Sequence, residues 1–66
     1  MVEFNDDLRK ARQMLEAYTG LPQKIFKAEY DPRSVDTVVR VQTESGIEAI
    51  IWVDGPLAGQ IEDGNW

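Results

Sequence analysis

The chain contains no cysteine and no histidine, and its sixty-six residues hold only seven Lys and Arg. Without Cys there is no thiolate nucleophile, no zinc knuckle and no disulfide framework. Without His, no side chain is a ready proton shuttle near neutral pH. No run approaches the roughly 18 apolar residues that a bilayer span needs. The opening stretch Met1-Val2-Glu3-Phe4-Asn5-Asp6-Asp7 is acidic and has no apolar h-region, so it reads as no signal peptide. Together these absences lead us to expect a single cytoplasmic domain that has no membrane segment and is not an enzyme, with no metal and no cofactor.

What is present is an excess of acid: twelve Asp and Glu give a net charge of −5, in a chain that is 42% hydrophobic and 29% charged. That hydrophobic share is too high for a disordered acidic tail, so the chain should fold. A domain this short buries only about 60% of its unfolded surface, and such cores rarely supply more than about 3–5 kcal/mol. Marginal stability or a partner follows.

The hydrophobic period assigns the elements. Asn5 reads as an N-cap with Asp6 and Asp7 in the positive first turn of a helix over about 5–19. Leu8, Ala11, Met14, Leu15 and Tyr18 form its apolar stripe, and Gly20 followed by Pro22 ends it. From Lys24 the period becomes two, which predicts a strand over 24–30 with Phe26, Ala28 and Tyr30 on one face. Asp31-Pro32-Arg33-Ser34 has the chemistry of a type I turn. Strands over 36–43 and 47–54 follow, separated by Glu44-Ser45-Gly46. With Gly46 left-handed in a three-residue loop, Thr43 opposes Ile47, Val41 opposes Ala49, Val39 opposes Ile51 and Thr37 opposes Val53. That register makes one face apolar, whereas a two-residue loop would mix charge into both. The expected fold is α+β: one N-terminal helix packed on a three-stranded antiparallel β-meander, with a tail over 55–66. The tail, which carries Leu57, Ile61 and Trp66, either folds back on the outer face or forms a short fourth strand.

Charge is partitioned along the chain. Residues 1–33 hold six acids and six bases, whereas residues 34–66 hold six acids and one base, Arg40. Asp36, Glu44, Glu48, Asp54, Glu62 and Asp63 are therefore expected on one negative surface, with Ile50 and Trp52 among them. Acids two residues apart on a strand stand about 6.5–7 Å apart, close to phosphate spacing along a nucleic-acid strand. The sign disfavours direct nucleic-acid binding and suits a basic protein surface. The same acids could simply keep a small domain soluble, and Trp52 is either an anchor within an acidic rim or a residue covered by the tail.

Other chemistry is weakly signalled. Asp36 and Asp54 face each other in the hairpin register, but too few further oxygens accompany them for a metal site. Asp63-Gly64-Asn65 lacks the remaining ligands of a calcium loop. Gly55-Pro56-Leu57-Ala58-Gly59 lacks the Lys-Ser/Thr of a phosphate loop. Arg9, Lys10 and Arg12 read as a solvated helix face pairing with nearby acids. The strand Ile47-Glu48-Ala49-Ile50-Ile51-Trp52-Val53 would lie at a sheet edge, to be covered by the tail, a second copy or a partner strand.

A helix built on Leu8, Ala11, Leu15 and Tyr18, a hairpin from Thr37 to Asp54, and that acid set make the whole chain resemble small phage-encoded anti-CRISPR proteins, above all acidic inhibitors of type I and type I-C interference complexes. The resemblance is one of size, charge and layout. It implies non-enzymatic inhibition, in which a DNA-mimicking acidic surface occupies the DNA-reading face of a CRISPR effector subunit in the host cytoplasm. The alternative is a small structural or regulatory module that dimerises, or augments a partner sheet, through the Ile50/Trp52 surface or the third-strand edge. Either a monomer or a homodimer fits.

Overall fold

A computed structural model describes the backbone of residues 2–32 and 37–63, and all their side chains except those of Val2, Glu3 and Asp63. The elements run α1 (Val2–Thr19), β1 (Ile25–Tyr30), β2 (Val38–Thr43), β3 (Glu48–Trp52) and β4 (Ile61–Asp63). The strands form one antiparallel sheet in the order β1-β2-β3-β4. The α+β architecture is as the sequence indicates, and the fourth strand is one of the two fates open to the tail. The turn at Asp31-Pro32-Arg33-Ser34 and the first position of the expected second strand, Asp36, fall partly or wholly outside the described residues.

α1 starts at Val2, so Asn5 lies inside the helix and is no N-cap. Tertiary contact extends the helix backwards. Phe4 meets Tyr30 edge-to-face with ring centroids 4.9 Å apart, and the Tyr30 hydroxyl donates to Asp7 Oδ2 at 2.6 Å. At the other end Gly20 takes φ 75°, and its N–H donates to the Glu16 carbonyl at 2.7 Å. This satisfies one of the carbonyls that a helix C-terminus leaves open.

The core lies between α1 and the inner sheet face. Ala11 and Leu15 are buried against Val39, Val41, Ala49, Ile51 and Val53, flanked by Leu8, Met14, Ile25, Ala28, Ile47 and Ile61. Tyr18, expected on this stripe, is 69% exposed. Beyond Leu15 the helix is held by polar bonds instead. Thr19 Oγ1 receives Gln23 Nε2 at 3.1 Å, Gln23 N–H donates to Glu16 Oε2 at 3.0 Å, and Ser45 Oγ donates to Gln23 Oε1 at 3.1 Å. Ser45 also bonds Thr43 Oγ1 at 2.9 Å, and Thr43 Oγ1 accepts from the Ile47 N–H at 3.1 Å. Gln23 and Thr43 are buried, and mutual bonding is what makes their burial tolerable.

The hairpin has the expected register. Val39 pairs with Ile51 and Val41 with Ala49, Thr43 N–H donates to the Ile47 carbonyl at 2.9 Å, and Val53 N–H donates to the Thr37 carbonyl at 2.9 Å. Gly46 has φ 95°, the left-handed conformation the three-residue loop requires.

β1 departs from simple alternation. Ile25 pairs with Thr43 and Lys27 with Gln42, so a bulge falls at Phe26. The extra residue lets both Ile25 and Ala28 reach the core, and Phe26, expected beside Ala28 and Tyr30, is 62% exposed.

Candidate functional site

The face of the sheet away from α1 is built by cross-strand registration. Glu29, Arg40, Ile50 and Glu62 form one row across all four strands. Lys27, Gln42 and Glu48 form the next, and Val38 pairs with Trp52 beyond them. Arg40 Nη1 lies 4.0 Å from Glu29 Oε2, and Gln42 Nε2 donates to Glu48 Oε2 at 3.4 Å.

This face brings together Glu48, Ile50, Trp52 and Glu62. Glu44 stands exposed in the hairpin loop at one end of β3, and Asp54 stands exposed just past the other end. From Ile47 to Val53 the strand advances about 20 Å. The acids are therefore strung along the sheet rather than gathered in one cluster. Asp54 also caps its own turn, its Oδ1 accepting from the Gly55 N–H at 2.8 Å. Asp63 pairs in register with Ala49. Asp36 lies outside the described residues, and with it the Asp36–Asp54 pair.

The expected exposure of Ile50 needs correction. Ile50 is only 7% exposed, so it is no surface anchor, and Val38 on the same face is buried too. Trp52 is half-buried. The reason is topological: β3 is an interior strand. Gly59 N–H donates to the Trp52 carbonyl at 2.8 Å and Trp52 N–H to the Gln60 carbonyl at 3.0 Å, which starts the pairing that continues as Ile51–Ile61 and Ile50–Glu62. The edge expected at β3 is covered by the chain itself.

A second feature lies on the opposite, helix side. Asn5, Leu8, Arg9, Arg12 and Ile25 line a groove of about 250 Å³ between α1 and β1. The four helical residues follow i, i+3, i+4, i+7 spacing, which marks a single helix face. That spacing is legible in the sequence, but pairing with local acids explains only part of it. Arg9 Nη1 does lie 3.3 Å from Asp6 Oδ1, whereas the Arg12 guanidinium makes no ion pair or hydrogen bond to the described residues.

Among the described residues there is no group of three or more side chains able to hold a metal ion. No described helix is long and apolar enough to cross a membrane. No protein-family model matches the chain, and no curated protein or solved structure gives a significant match.

Proposed function

We propose that this chain is a non-enzymatic inhibitor whose acidic surface occupies the basic, nucleic-acid-reading face of a partner protein. The resemblance in size, charge and layout makes a CRISPR interference complex the target we favour, blocked from binding its DNA. The observation that carries the reading is the partition of charge: six acids and one base in residues 34–66 against an even balance in residues 1–33. Glu44, Asp54 and Glu62 are exposed, and Glu48 shares the outer face with Glu62. Charges held along a rigid sheet can steer association with a basic groove and fix its register without any chemistry.

The test is charge reversal. Glu44→Lys, Asp54→Lys and Glu62→Lys together should abolish binding to the target complex while circular dichroism keeps the parent's spectrum, with thermal unfolding lowered only slightly by the lost bond from the Gly55 N–H to Asp54. Binding of the parent should weaken steeply as salt rises. Unaltered binding by the triple variant sinks the proposal. The competing module reading relies on the Ile50/Trp52 surface or on the third-strand edge; the burial of Ile50 and the interior position of β3 favour the acidic-surface reading over it, with half-buried Trp52 the part of that surface still open to solvent.

A further inference from the structure

The helix-side groove carries charge of the opposite sign from the rest of the molecule, and it adjoins an open sheet edge. Among the described residues β1 pairs with no strand other than β2, so it is an edge strand of the sheet. Lys24 and Lys27 are exposed along it, and from Lys27 to Tyr30 the strand keeps unbroken register with β2 beyond the bulge. At the Ile25 end the groove opens between β1 and α1, with half-buried Leu8 and Ile25 as an apolar floor and Asn5, Arg9 and Arg12 around it.

We infer that this edge and groove form a binding site for an extended acidic peptide segment of a partner protein, which adds to β1 as a strand and places a carboxylate-bearing side chain beside Arg9 and Arg12. Added strands draw affinity from main-chain hydrogen bonds and specificity from pockets that receive alternate side chains. An added strand next to β1 sends every second side chain toward the α1 side, where the groove lies. Guanidinium groups suit carboxylates because their donors match both oxygens. Leu8 and Ile25 favour an occupant whose carboxylate hangs from an aliphatic stem over a free inorganic ion. Three nearby acids limit the site: Asp6 holds Arg9 in an exposed pair, Asp7 accepts from the Tyr30 hydroxyl at the far end of β1, and Glu29 lies on the other face of β1 near Arg40. An exposed pair exchanges partners at little cost. The site is separate from the acidic face, so either proposal can fail alone.

The experiment titrates the isotopically labelled full chain with a blocked seven-residue peptide alternating Glu and Val, followed by amide chemical shifts. Shifts are expected in residues 24–30 and in residues 5–12. Arg9→Gln combined with Arg12→Gln should weaken binding at least about tenfold, as should replacing the peptide's Glu by Gln. N-methylation of alternate peptide amides should abolish the β1 shifts. The Glu44→Lys, Asp54→Lys, Glu62→Lys variant should still bind the peptide. No shifts at millimolar peptide, equal binding of the Gln/Val peptide, equal binding of the N-methylated peptide, or inorganic phosphate alone reproducing the β1 shifts each overturns the inference. So does sedimentation of the free chain as a dimer whose β1 amides are already protected, since a second copy would then fill the edge.

Discussion

The two edges of the sheet face the same hazard with opposite means. β1 is six residues long, carries a bulge, exposes Lys27 and has Lys24 just before it. β4 is three residues long and carries Glu62 and Asp63. The bulge guards only the Ile25–Lys27 end of β1 and leaves Lys27–Tyr30 in regular register, whereas the shortness of β4 leaves intruders too few groups to bond. The difference teaches that the guard on β1 is electrostatically selective: it repels basic strands and leaves an acidic one a favourable approach. The guard on β4 repels acidic chains and keeps that side suited to a basic surface.

The largest perturbation removes the layer that both edges share. Leu15→Ala deletes buried aliphatic surface against β2 and β3 and should cost about 2–5 kcal/mol. With a total stability of about 3–5 kcal/mol for such a small core, thermal melts should show the variant largely unfolded, and both edges lost together. Gln23→Ala comes next. It removes the bonds of Gln23 to Ser45 and Thr19, both of which keep other partners, for about 1–3 kcal/mol at about 0.5–1.5 kcal/mol per bond, read in denaturant titration at unchanged slope.

Gly59→Ala should separate the edges. Gly59 has φ 95° with open space around the position of an added Cβ, so the cost is backbone strain of about 1–2 kcal/mol. Hydrogen exchange should speed up at residues 60–63 while β1 amides keep the parent's rates; equal acceleration of both would show that the edges are not independent. The smallest effect is expected from Asp6→Asn. Both partners of its pair with Arg9 are more than half exposed, so stability should move by less than about 0.5 kcal/mol. The same change releases Arg9, and the Glu/Val peptide should bind more tightly.

Much of this arrangement is legible in the amino-acid sequence. The hairpin register follows from Gly46 and from the requirement that Val39, Val41, Ala49 and Ile51 share a face, because a slip of one residue would turn them all outward. Gly20 marks the helix end for a local reason too. The features that escape are those decided by contacts distant along the chain. Phe4 is helical because Tyr30 receives it, and nothing within the first turn signals that. The bulge at Phe26 arises because Ile25 and Ala28, three positions apart, are both drawn to the core. Ile50 reads as exposed until β4 is known to pair beside it, and a three-residue strand between glycines has almost no periodicity to detect. For the candidate site, the acid partition is visible in the sequence, but its layout over about 20 Å of sheet is not. The Arg groove is half-visible: α1 shows its helix face, and only the placement of Ile25 beside that face completes its floor.

The bond between Ser45 and Gln23 also changes what the hairpin tip can do. Together with the Glu44 N–H, which donates to the Lys24 carbonyl at 2.8 Å, it moors the loop at both backbone and side chain. Loops of this kind usually surrender conformational entropy when a partner closes on them. Here that freedom is already gone on folding, so Glu44 is offered from an immobilised backbone. Association at the tip should therefore proceed as a rigid-body encounter whose rate follows diffusion and charge, with no ordering step to slow it.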